Sequence, residues 1–209
     1  MFVYLTYKTI WHAELIQFFM EDALLWEKFK QGDKTALSQI FNQHVRLLYK
    51  YGRKFTVNDA LVEDCIQDLF LEIWKNRQNL GKTDSIKLYL LSSLRRKIIR
   101  KSTSESKKYD KNTDVENYNF EVEFTPEDMI ISDETNQLNN QKLQGQLQKL
   151  SKRQKEAIYL KYYQGLEYNE ISSIMDINYQ SARNLVYSAL KALKKNFLAW
   201  ALLVSSGLL

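Results

Sequence analysis

Over most of the chain, apolar side chains return every three or four residues, the spacing of one helix face rather than of a strand. A first helix carrying Trp26 runs past Lys30 and ends at Gly32, and Asp33 is placed to cap a second, which continues through Phe41 and Leu48 to about Tyr51. Asn58 or Asp59 caps a third, with Val62, Ile66, Leu69, Phe70, Ile73 and Trp74 on one face and Glu63, Asp64, Gln67, Asp68 and Glu72 on the other. After the loop "NRQNLGKTD" a fourth begins near Asp84 or Ser85, with Leu88, Leu91, Leu94 and Ile98 as its core side. Further along, Ser151 and Gln154 have the spacing of a capping box, and Gly165 closes the helix they open. A short helix over Tyr168 to Met175, a three-residue break "DIN" and a longer helix from Tyr179 to about Asn196 complete a pattern that predicts an all-α fold.

The stretch between these two sets, "STSESKKYDKNTDVENYNFEVEFTPEDMIISDET", lacks helical spacing and is polar, so it reads as a flexible linker. Charge sharpens the division. Residues 1 to 101 hold 17 Lys and Arg against 11 Asp and Glu, residues 102 to 135 hold 3 against 10, and residues 136 to 209 hold 10 against 4. Two basic blocks therefore flank an acidic strip, within a total of +5. The expected organisation is a helical domain over 22–101, an acidic linker over 102–137 and a second helical domain, with a helix-turn-helix, over 138–196.

Cys65 is the one cysteine, and His12 and His44 lie far apart, so the sequence offers no disulfide framework, metal-ligand spacing or cofactor motif. A reducing cytoplasm suits such a chain. Residues 1–21 read as an N-terminal extension: they are apolar but interrupted by Lys8, His12 and Glu14, with neither a cleavage site nor the ~18 apolar residues of a membrane span. Because Met20 is followed by "EDALLWEKFKQGD", residues 1 to 19 can precede the native start.

The break "DIN" is the first candidate for chemistry. Asp176 has a short polar side chain that can visit the left-handed conformation a helix-turn-helix needs. Ile171, Ile174, Ile177, Ala182 and Leu185 can form the shared core. That leaves Tyr179, Gln180, Ser181, Arg183 and Asn184 at the exposed start of the second helix, where Arg can pair with guanine and Gln or Asn with adenine. A plain helical hairpin with a solvated face fits the same pattern. The run Arg95, Arg96, Lys97, Arg100 and Lys101 suits phosphate, though it is also an ordinary basic helix end. The acidic face of the third helix is either solvated or a surface for a protein. No nucleophile and base, metal cluster or phosphate-cradling glycine loop supports an enzyme or a small-molecule substrate.

Taken in order, these pieces resemble a bacterial RNA polymerase sigma factor of the sigma-70 family, extracytoplasmic-function class. "LWEKFKQGDKTALSQIFNQHVRLLYKYGRKFT" and "LVEDCIQDLFLEIWKN" are similar to that family's first domain, and "LSKRQKEAIYLKYYQGLEYNEISSIMDINYQSARNLVYSALKALKK" is similar to the domain that reads the upstream promoter element. The resemblance implies a promoter-specificity subunit with no enzymatic activity, whose partners are core RNA polymerase, promoter DNA and an anti-sigma factor, often membrane-bound. It assigns core-polymerase binding to Asp64, Gln67 and Asp68 on the third helix. It assigns the capture of a flipped base of the downstream element to the loop with Asn76, Gln78, Asn79 and Lys82, and the opened strand to Tyr89, Arg95, Arg96 and Arg100. Upstream DNA falls to Lys152, Arg153, Tyr179, Gln180, Ser181, Arg183 and Asn184. It also implies that the acidic linker passes through the polymerase cleft toward the RNA exit path.

Asp176, Tyr89 and Arg96 depart from the glycine, tryptophan and asparagine common in the family. The hydrophobic tail over 197–209 goes beyond the family core and fits a helix extension folded back on its domain, a site for a regulatory partner, or contact with a membrane surface. Without the resemblance, the chain also fits a stand-alone helix-turn-helix regulator.

Overall fold

A computed structural model describes residues 21–107, 118–122 and 145–194. Among these, every regular element is helical. They fall into two compact units, one that ends at Arg53 and resumes over Asn58–Ile98, and one that takes Lys54–Val57 and the residues from Ile99 on. The N-terminal extension and the tail lie outside the described residues, as does most of the acidic strip.

In the first unit, helix α1 is described over residues 21–30 and ends as the sequence predicts. Asp33 N donates to Lys28 O at 3.1 Å across Gly32, whose φ of 92° only a residue without a side chain adopts readily. Asp33 Oδ1 then accepts from Thr35 N at 2.7 Å and Ala36 N at 3.3 Å, opening α2 over Lys34–Gly52. Asn58 Oδ1 accepts from Leu61 N at 3.1 Å and opens α3 over Asp59–Lys75. The fourth helix, α4, spans Ile86–Lys107, about a turn and a half beyond its expected end. Ser85 Oγ accepts from Leu88 N, and the first amide of α4, from Ile86, donates to Asp22 Oδ2 at 2.9 Å. Asp22 is itself buried, so α1 caps α4 from 64 residues away.

Packing differs from the expected faces by a position here and there. Ile40 is fully buried while Phe41 is 37% exposed, and Leu88 is half-buried beside the fully buried Ile86, Leu90, Leu91, Leu94 and Ile98. Gly52 sits where helices meet most closely: a Cβ there would come within 2.6 Å of Val62 Cγ1 and 3.2 Å of Ile98 Cδ1. Such distances leave no room for a methyl group without displacement of its neighbours.

The second unit contains a feature that the linker reading did not anticipate. Tyr118, Phe120 and Val122 are buried, with Asn119 and Glu121 exposed between them. Burial in this segment alternates with the two-residue period of a strand, and its Glu121 N donates to Lys54 O at 2.7 Å. Phe55, Tyr118, Phe120 and Tyr159 form a ring cluster with centroids 4.9 to 5.9 Å apart. Tyr118 hydroxyl donates to the buried Glu156 carboxylate, and Lys155 Nζ reaches Glu121 Oε2 at 2.8 Å. These polar contacts are needed because Glu156 and Lys155 are both buried, and an unpaired charge there would be costly. The strip is therefore not a uniformly solvated tether.

Candidate nucleic-acid interface

The helices that follow build the turn on which the second unit's interface depends. Ser151 and Gln154 form the expected reciprocal capping box at the start of α5, Lys152–Ile158. A π-helical turn over Tyr159–Tyr163 continues it, and Gly165, with φ 66°, ends it. Helix α6 covers Tyr168–Met175 and α7 covers Tyr179–Lys194. Between them Asp176 adopts φ 55° and ψ 53°, the left-handed conformation that the turn requires. Its neighbour Asn178 caps α7, accepting from Ser181 N through Oδ1 at 2.7 Å. Ile171, Ile174 and Ala182 are fully buried as predicted, but the second core position on α7 is Val186 rather than Leu185, and Met175 joins the core; Ile177 and Leu185 are only half-buried.

This turn sets the first residues of α7 outward. Tyr179, Gln180, Arg183 and Asn184 are exposed and Ser181 is half-exposed. Gln180 Nε2 donates to Asn184 Oδ1 at 3.0 Å, one turn apart, so the two amides present a joined donor and acceptor edge beside the Arg183 cation. Tyr179 is held edge-on by Tyr168 at 6.0 Å between centroids. Lys152 is exposed at the start of α5 and Arg153 is half-exposed. Gln154 ties α5 to α7 through Ser188 Oγ at 2.9 Å. Tyr187, one turn beyond Arg183, is 67% exposed.

In the first unit the loop after α3 carries Asn76, Gln78, Asn79 and Lys82, all exposed. Tyr89 lies half-buried with its ring 5.0 Å from that of Trp26, and this burial pushes its hydroxyl above the usual range. Arg96 and Arg100 are exposed on α4, and Lys97 pairs with Glu72. Arg95 is a correction. It is only 8% exposed, because it stands one turn from both Leu91 and Ile98 and so shares the buried face of α4 instead of facing a phosphate backbone. On α3, Asp64, Gln67 and Asp68 are exposed in one row. That row continues to Leu71, 67% exposed, three residues after Asp68 and four after Gln67.

Among the described residues no helix is long and apolar enough to cross a membrane. Residues 40–108 match the family described as Sigma-70 region 2, and residues 140–193 match Sigma-70, region 4. The ECF RNA polymerase sigma factor SigK of Mycolicibacterium vanbaalenii is 24% identical over 175 residues, 83% of this chain and 87% of that protein. The RNA polymerase sigma factor NccH of Alcaligenes xylosoxydans is 35% identical over 68 residues, 32% of this chain and 35% of that protein. Among solved structures, CnrH in complex with the cytosolic domain of CnrY aligns with a TM-score of 0.55 at 17% identity, over 88% of this chain and 97% of that one. The sigma factor RpoE of Bartonella quintana, in complex with the anti-sigma factor NepR, aligns with a TM-score of 0.53 at 20% identity, over 76% of this chain and 94% of that one. With both regions present in order and a sigma factor alike along most of its length, the chain belongs to the sigma-70 family of promoter-recognising RNA polymerase sigma factors, in the extracytoplasmic-function class.

Proposed function

We propose that this sigma factor divides its work among three surfaces. The exposed start of α7, with Tyr179, Gln180, Ser181, Arg183 and Asn184, reads the upstream promoter element as duplex, while Lys152 and Arg153 contact its backbone. The loop Asn76 to Lys82 takes a flipped base of the downstream element, and Tyr89, Arg96 and Arg100 hold the opened strand. Asp64, Gln67 and Asp68, with Leu71, dock on core polymerase. The domains that carry these surfaces are 22–101 and 138–196, joined by the acidic linker over 102–137. The negative charge of that strip on either side of the packed segment 118–122 suits a passage through the polymerase cleft and displacement by nascent RNA. The protein acts in the cytoplasm, performs no catalysis of its own, and is restrained by an anti-sigma factor. Support for that last point comes from the similar folds of CnrH and RpoE, each solved with such a partner or its cytosolic domain.

The observation that carries the reading is the left-handed Asp176, which turns an Arg, a Gln and an Asn outward at the start of one helix. Purified protein is expected to give promoter-specific transcripts with core polymerase and to bind duplex promoter weakly without it. Arg183→Ala should weaken discrimination of the upstream element by roughly tenfold or more, the worth of one good base contact. Asp64→Ala should weaken core binding and leave the full chain's discrimination of the upstream element, measured at saturating polymerase, intact. If both variants lose the same function, or if the protein binds duplex tightly alone and yields no transcript with polymerase, the division of labour is wrong.

A further inference from the structure

The loop that follows α3 is exposed and polar, yet its backbone is tied down at both ends, by the side chains of Arg77 and Trp26. It starts with a single tight turn over Arg77–Asn79, in which Asn79 N donates to Asn76 O at 2.9 Å and Leu80 N to Arg77 O at 3.4 Å. No side chain caps this turn, and so short a helix does not persist by itself. Arg77 supplies what is missing. Its guanidinium lies over the Trp74 ring, 4.5 Å from the centroid, and Nη1 donates to Trp74 O at 2.9 Å, satisfying a carbonyl at the end of α3. The turn after α1 lies against this side chain: a Cβ on Gly32 would stand 3.4 Å from Arg77 Nε, at ordinary contact distance. At the far end of the loop, the Trp26 indole, 1% exposed, donates through Nε1 to Gly81 O at 2.9 Å. The same ring packs against Tyr89 at 5.0 Å and Phe29 at 5.1 Å.

We propose that Arg77 and Trp26 are positioning residues that fix the loop Asn76 to Lys82 in its base-accepting shape before DNA arrives, so that downstream-element specificity depends on α1 as well as on the loop. The inference rests on the reading of that loop as the base-capture element. Its physical basis is entropy: a loop already ordered by folding does not have to be ordered when a base is captured, so contacts by Asn76, Gln78 and Asn79 go into binding and discrimination. Lysine at position 77 would keep the charge and lose the planar stack and the directed Nη1 donor. Phenylalanine at position 26 would keep most of the ring volume and lose the donor to Gly81 O.

The test uses the full chain with core polymerase and forked promoter DNA in which each single-stranded position of the downstream element is in turn intact, changed to another base, or abasic. The unmodified protein is expected to favour an intact base at one position. Gln78→Ala, a contact variant, should alter the preference for base identity at that position. Arg77→Ala, Arg77→Lys and Trp26→Phe should each reduce the preference for intact over abasic DNA by roughly tenfold. Core affinity, upstream duplex binding and thermal unfolding should remain within twofold or a few degrees of the unmodified protein for Arg77→Lys, the mildest of the three. If the Arg77 and Trp26 variants keep the full preference, the positioning role is overturned while base capture stands. If the unmodified protein shows no preference for an intact base at any position, base capture by this loop falls, and the positioning role with it.

Discussion

Asp176 holds a conformation that costs an L-residue with a side chain roughly 1–2 kcal/mol, and it holds it where the aim of α7 is decided. Asp is tolerated there because its side chain is short, whereas a β-branched residue meets its own backbone. Asp176→Val is therefore expected to lower stability by more than about 1 kcal/mol, and Asp176→Gly to change it by less than about 1 kcal/mol, in chemical denaturation of the full chain. The local chemistry of this residue made the turn legible in the sequence. The same holds for the caps Asp33, Asn58 and Ser151 and for Gly165, since each acts on amides two or three residues away or on its own φ. Arg95 and Trp26 were not legible in this way. A run of cations does not reveal which member turns inward, and the partner of the Trp26 indole lies 55 residues along the chain.

At the scale of the element, α3 and α7 each carry an exposed row proposed for contact on one side and core on the other, and helical spacing decides membership. Asp64, Gln67, Asp68 and Leu71 recur at three- and four-residue intervals, so the proposed polymerase contact includes the apolar end of the row with its acids. Leu71→Ser is expected to leave stability within about 0.5 kcal/mol, because the side chain is already in water, and to weaken core-polymerase affinity severalfold in a binding titration. Equal loss in stability and affinity would place Leu71 in the fold instead. Helix existence and type were legible throughout, while individual core positions slipped by one, as with Val186 in place of Leu185. Each turn of a helix offers two neighbouring positions to the core, and only the crossing angle of the packed partner chooses between them.

For the whole molecule, the succession of basic, acidic and basic blocks points to two folded regions and a solvated tether. What it concealed was the alternation in Tyr118, Phe120 and Val122, three apolar residues on a period of two inside a strip searched for a helical period. Because Phe120 is fully buried against the rings of Phe55 and Tyr159, Phe120→Ala is expected to destabilise the second unit by about 3–5 kcal/mol, read as a lower denaturant midpoint. An unchanged midpoint would show that the segment contributes nothing to that core. The contact at Gly52 reaches further than its size suggests. A methyl wedged against Val62 and Ile98 would strain the joint between α3, proposed to dock on polymerase, and α4, proposed to hold the opened strand. Unfolding of such a weakened joint rises steeply with warming, so position 52 is where conditional alleles belong: one added carbon atom would make every promoter this factor serves active in the cold and silent in the heat.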